Sequence, residues 1–199
     1  LVTTPLDWED VVLPPKLAHR LNEVRDRIID HDQVWDGWGL GAHLGECSGL
    51  LVLFHGRPGT GKTLSAAVLG KVTNKPVYRI DLSEIVSKYI GETEKNLAQV
   101  FDRAQVHDWI LFFDEADSLF SRRGEVREAR DRYANQEVSY LLQRIETYPG
   151  TVILATNKLG SIDDAFVRRI HLSMEFPEPD ERCRRILWQK MFPPRDVLP

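Results

Sequence analysis

The chain has 199 residues, 42% of them apolar and 28% charged, with a net charge of −4. That length and balance suit one globular α/β domain with a substantial core, and they exclude a disordered or fibrous chain. The mild acidity gives no global basic footprint for nucleic acid, no apolar run is long enough to span a membrane, and the two cysteines, Cys47 and Cys183, have neither metal-ligand spacing nor the density of a disulfide scaffold.

Leu17, Leu21, Val24 and Ile28 recur at helical spacing and predict an N-terminal helix. Asp32 to Ser48, rich in glycine and polar residues, reads as a loop with an embedded short helix. From there strands and helices alternate. The predicted strands are Leu50–Phe54, Pro76–Asp81, Trp109–Asp114, Thr151–Thr156 and His171–Phe176. Leu97, Val100, Phe101 and Ala104 line one face of a helix after Glu94, and Val138, Leu141, Leu142 and Ile145 line a face of another. Asp180 is the expected N-cap of a last helix that runs to about Met191, before Pro193-Pro194 breaks the chain. Alternating β and α with apolar strands argues for a mostly parallel sheet covered on both faces.

Between the first strand and the next helix stands Gly56-Arg57-Pro58-Gly59-Thr60-Gly61-Lys62-Thr63, followed by Leu64. This is the full G-x-x-x-x-G-K-[ST] phosphate loop in the strand-to-helix context that it needs. Its glycines let successive N–H groups converge on a phosphate, and the helix N-terminus adds partial positive charge. Lys62 is expected to reach the β- and γ-phosphates of ATP, and the Thr63 hydroxyl to ligate Mg²⁺.

The third predicted strand ends in Asp114-Glu115. Asp114 is the candidate for holding the hydration shell of Mg²⁺ and Glu115 for polarising a water in line with the γ-phosphate. A water-activating carboxylate favours hydrolysis over transfer to a small acceptor. The fourth predicted strand delivers Asn157 at its C-terminal end, where ligands of open parallel sheets bind, so Asn157 is a candidate for orienting that water.

These residues together resemble the AAA+ ATPases, the ring-forming protein-remodelling machines, over nearly the whole chain from Trp8 to Met191. Asp114-Glu115-Ala116-Asp117 looks like the Walker B motif, Asn157 like sensor 1, Ser87 to Lys95 like the pore-loop segment, and Asp163 to Arg169 like the second region of homology. The resemblance implies a P-loop NTPase fold, with a five-stranded parallel sheet in the order 5-1-4-3-2. It also implies ATP sites at subunit boundaries, a hexameric ring and a protein substrate or assembly partner. Arg168, eleven residues after Asn157, then matches the arginine finger, with Arg169 as the alternative. Lys88, Tyr89 and Ile90 match the substrate-gripping pore element, in which an exposed aromatic offers apolar area at small entropic cost. The segment from Lys88 to Leu97 is bacterial in style.

The chain departs from the family pattern at named positions. His171 stands where a second Arg is common, and Arg57 replaces a Pro inside the loop, with its side chain expected to point outward. Trp8 to Val12 resembles the segment that lines the adenine pocket, placing Asp10 and Val12 near the base, but Val12 replaces the usual Gly. Ser121 to Arg132 is a highly charged loop. The expected division is an N-terminal helix and linker over 1–48, the large α/β nucleotide-binding subdomain over 49–192, and the start of a connection to a helical lid over 193–199. A cytoplasmic ATPase motor is the leading reading. An assembly switch with little turnover and a DNA-directed loader are the alternatives, the latter disfavoured by the acidic balance.

Overall fold

All five predicted strands form, with ends within a residue of those expected. The computed structural model describes residues 1–32, 49–81, 92–117, 139–162 and 164–192. In chain order these hold a 3-10 turn Trp8–Asp10, α1 Pro15–Asp32, β1 Leu50–His55, α2 Lys62–Thr73, β2 Val77–Asp81, α3 Glu92–Val106, β3 Ile110–Asp114, α4 (139–147), β4 Thr151–Thr156, α5 Asp164–Val167, β5 Leu172–Glu175 and α6 Glu181–Met191. The strands form one five-stranded sheet in the order β2-β3-β4-β1-β5, every pairing parallel, which agrees with the order that the family resemblance implies.

Side chains alternate across the sheet, and each face carries its own core. On one face Leu51, Leu53, Leu111, Phe113, Val152 and Leu154 meet Leu97 and Phe101 of α3, Leu141 and Ile145 of α4 and Phe166 of α5. On the other, Val52, Phe54, Phe112 and Ile153 meet Leu17, Leu21, Val24 and Ile28 of α1 and Ala66 and Leu69 of α2. Both faces being covered explains why the central strands read as unbroken apolar runs. The predicted N-terminal helix is thus part of the core, and Arg20 adds a 2.6 Å hydrogen bond to the carbonyl of Ser173 in β5.

Because the sheet is parallel, the C-terminal ends of its strands share one edge. His55 sits beside Thr156 in register, and Asp81 beside Asp114. That edge receives the phosphate loop after β1, the acidic pair after β3 and Asn157 after β4. Asp180 caps α6 as expected, its carboxylate accepting the Cys183 N–H. No helix among the described residues is long and apolar enough to cross a membrane.

Candidate functional site

The turn after β1 is set by glycine. Gly56, Gly59 and Gly61 have φ of 145°, 78° and 97°, conformations that L side chains avoid. A Cβ on Gly56 would lie 2.2 Å from the Phe176 carbonyl oxygen, so the loop must pass close against the segment after β5. A Cβ on Gly59 or Gly61 would meet nothing within 4 Å, so that side of the loop is open. Gly61 is the N-cap of α2, and Lys62 begins its first turn.

Lys62 is only 7% exposed. Its Nζ donates to the carbonyls of Gly56 (2.7 Å) and Arg57 (2.9 Å) and to Oδ1 of Asn157 (2.9 Å). Burial pushes the ammonium below its usual pKa, with Asp114 and Asp117 pulling the other way. A buried cation whose hydrogen-bond acceptors are all neutral, under a glycine turn open on one side, is chemically suited to a phosphate. Arg57 points outward as expected and meets Glu178 at 2.5 Å. His55, at the root of the loop, is held below the usual histidine range by burial.

On the acidic side, both oxygens of Asp114 are engaged. Oδ2 pairs with Arg79 of β2 at 2.9 Å and Oδ1 accepts the Glu115 N–H at 3.1 Å. Glu115 is exposed and adopts a left-handed conformation, φ 54°, a backbone state that costs a non-glycine residue about 1 kcal/mol or more and clusters at functional positions. The chain then returns to the sheet through a 2.8 Å bond from the Ala116 N–H to the Ala155 carbonyl. Thr156 donates to Asp117 (3.0 Å) and accepts the Lys158 N–H (3.0 Å), which fixes the turn bearing Asn157.

Among the described residues no group of three or more His, Cys, Asp or Glu side chains is placed to hold a metal. The donors at hand are the Thr63 hydroxyl and the Asp114 carboxylate. Such a sparse set of hard oxygens fits Mg²⁺, which keeps waters and shares its shell with nucleotide phosphates rather than filling an all-protein cage.

The structure therefore brings Gly56 to Leu64, Asp114, Glu115 and Asn157 to one edge of the sheet. Other sequence candidates lie apart. The Asp10 carboxylate accepts its own turn's Asp7 N–H (2.9 Å) and meets Lys190 of α6 at 3.0 Å, contacts that hold it below the usual carboxylate range, in that order of importance. Asp10 ends the 3-10 turn Trp8–Asp10, which packs on α2, and Val12 follows it. Arg168 is exposed and has no hydrogen bond or ion pair among the described residues, whereas Arg169 pairs with Glu146 of α4. Both precede His171, whose N–H bonds Leu51 at the start of β1. The phosphate loop follows the end of β1 at His55, about 13 Å further along the strand. Lys88, Tyr89 and Ile90 lie outside the described residues, as do Asp163 and Ser121 to Arg132.

Arg79 and Glu178 enter the site without having been foreseen, and Asp117, expected only as part of the Walker B motif, accepts a hydrogen bond from the Thr156 hydroxyl. The one available signal was a charge inside an apolar strand, Arg79 alternating with Asp81, and the sequence does not disclose which strand lies beside it.

Comparison with known proteins agrees with this geometry. The profile of the family described as ATPase family associated with various cellular activities (AAA) matches residues 52–178. The 26S proteasome regulatory subunit 8 homolog of Encephalitozoon cuniculi is 34% identical over 178 residues, covering 84% of this chain and 44% of that protein. The 26S proteasome regulatory subunit 8 of Caenorhabditis elegans is 34% identical over 176 residues, covering 85% of this chain and 41% of that protein. The homolog from Naegleria fowleri is likewise 34% identical, over 179 residues and 42% of its length. This chain thus spans about two fifths of the relatives that it matches. With the family profile covering most of its length and the phosphate loop, acidic pair and Asn157 converging on one sheet edge, the chain belongs to the AAA family of ATPases.

Proposed function

We propose that this chain is the ATP-binding and ATP-hydrolysing core of a motor that threads or remodels a protein partner within a ring, most simply a hexamer. The observation that carries the reading is Lys62: a buried ammonium whose acceptors among the described residues are all neutral, one of them Asn157, between the phosphate loop and the acidic strand end. The relatives named as proteasome regulatory subunits support a protein substrate and a soluble, cytoplasmic setting. They are eukaryotic and lend no weight to the bacterial branch.

Lys62 would neutralise the β- and γ-phosphates, and the N–H groups of Gly59 to Thr63 would cradle them. Thr63 and Asp114 would hold Mg²⁺, which when bound screens the phosphate charge. Glu115, exposed beside Asp114, takes a proton from the attacking water, and Asn157 orients that water. Arg168 is remote from its own loop and has no ion pair among the described residues, so its use is at an adjoining copy's γ-phosphoryl group. Such a finger is worth roughly 10³–10⁵ in rate in related NTPases. Asp10 and Val12 would flank the adenine, with the Asp10 carboxylate occupied by Lys190. Residues 49–192 then form the large nucleotide-binding subdomain, and Lys88, Tyr89 and Ile90 the element that grips substrate.

Equilibrium binding of a fluorescent ATP analogue tests the site. Lys62→Ala is expected to abolish binding, and Glu115→Gln to keep ATP bound while hydrolysis stops. If Glu115→Gln changes neither occupancy nor turnover, Glu115 is not the base.

A further inference from the structure

The turn of residues 166–171 presents Arg168, a cation with no hydrogen bond or ion pair among the described residues, between anchored neighbours. Phe166 is 3% exposed in the core cluster, and Val167 and Ile170 pack at its margin. The N–H groups of Arg169 and Ile170 bond the carbonyls of Phe166 (2.9 Å) and Val167 (3.1 Å), which closes the turn. The Arg169 guanidinium is paired with Glu146. His171 is tied to β1 twice: its N–H donates to the Leu51 carbonyl at 3.0 Å, and its ring Nδ1 accepts the Leu51 N–H at 2.9 Å. The strand ladder proper begins one residue later, with Leu172 beside Val52. A histidine side chain thus supplies the acceptor that a longer strand would have supplied from its backbone, and this bond places the neutral ring's proton on Nε2.

Behind this turn lies a cleft of about 300 Å³ whose walls include Leu51, Glu146, Tyr148, Arg169 and His171. Without its ties the turn has room to sag into that space. The Arg169–Glu146 pair is half-exposed, and such pairs add little stability, about 0–1 kcal/mol. Its effect is on geometry rather than on the folding equilibrium.

The geometry points to Glu146, Arg169 and His171 as positioning residues that hold Arg168 projected from the molecule, preset for the γ-phosphoryl site of an adjoining copy. This rests on the reading of Arg168 given under Proposed function. His171, which stands where a second finger is common, supports the first finger here. With the backbone of the turn fixed before assembly, only the Arg168 side chain remains to be ordered at the moment of reaction, and a displacement of about 1 Å can cost about 10²-fold in rate.

The test uses steady-state hydrolysis by the full-length protein carrying Glu146→Gln, His171→Ala, His171→Asn or Arg168→Ala. Glu146→Gln and His171→Ala are expected to lower kcat by roughly 10–100-fold while KM for ATP and analogue binding stay within about twofold. His171→Asn, whose Oδ1 can accept the Leu51 N–H, restores most of the rate. Mixing either slow variant with Glu115→Gln revives turnover, because the slow variant keeps an intact site and its neighbour supplies a well-held Arg168. A purely structural defect is not revived by mixing. Unchanged kcat in both variants, no revival on mixing, or His171→Asn as slow as His171→Ala would each overturn the inference. If Arg168→Ala abolishes turnover while the others do nothing, this inference alone falls. If Arg168→Ala itself does nothing, the finger reading falls first.

Discussion

Gly56→Ala isolates how tightly the phosphate loop is built. Gly56 has a φ of 145°, and an added Cβ would lie 2.2 Å from the Phe176 carbonyl oxygen and 3.0 Å from its carbonyl carbon. The backbone state alone costs a non-glycine residue about 1–3 kcal/mol. Relief of the contact needs a shift of about 1 Å, because real Cβ contacts are rarely closer than 3.0 Å. Phe176 is not free to give, since its own N–H bonds the His55 carbonyl at 2.7 Å, and losing that bond costs about a further 1 kcal/mol. The total is roughly 2–4 kcal/mol. Gly59→Ala is the control: φ is 78° but nothing lies within 4 Å, so about 1–2 kcal/mol of backbone strain is the whole cost. Urea unfolding followed by tryptophan fluorescence measures both. Gly56→Ala within about 0.5 kcal/mol of wild type, or no more costly than Gly59→Ala, would refute the close-approach argument.

Three further outcomes follow from the same geometry. Asn157→Ala removes an acceptor of Lys62 and is expected to slow hydrolysis about 10–100-fold with analogue binding retained, as single-turnover kinetics would show. Arg79→Ala removes a unit charge from beside Asp114, so half-saturating Mg²⁺ for analogue binding should fall about three- to tenfold; a rise would mean that Arg79 chiefly orients the carboxylate. The Asp180 carboxyl is held below its usual value of 3.8 by the Cys183 N–H bond, so its contribution is complete above 3.8 and fades as pH falls through the lower native value. Asp180→Ala should therefore melt below wild type at pH 7, with the gap closing in acid.

Much of the fold was legible because few physical demands shaped each segment. β1, β3 and β4 are buried on both faces, so their sequences run apolar from end to end. Leu17, Leu21, Val24 and Ile28 are 6%, 2%, 0% and 1% exposed, as a helix with one buried stripe requires. Strand ends moved by a residue where an edge side chain serves elsewhere: His171, read as strand, spends its ring on Leu51 and β5 begins at Leu172. The strand order came from the family resemblance, since periodicity says nothing about which strands are neighbours. The phosphate loop was readable because its chemistry is local. The contacts beyond it are not local: Arg79 to Asp114, Arg57 to Glu178 and Lys190 to Asp10 join residues that only the folded chain brings together. Asp10 shows the consequence, a carboxylate expected near the adenine that is already bound to the last helix.

The central claim is a hydrolytic site completed by a second copy. Its most direct test is steady-state ATP hydrolysis by the full-length protein against protein concentration, with wild type beside Glu115→Gln and Arg168→Ala and an equal mixture of the two. The account predicts a steep rise of specific activity with concentration, loss in either variant alone, and recovery in the mixture. Activity independent of concentration and untouched by Arg168→Ala would mean a self-contained P-loop enzyme, and would contradict it.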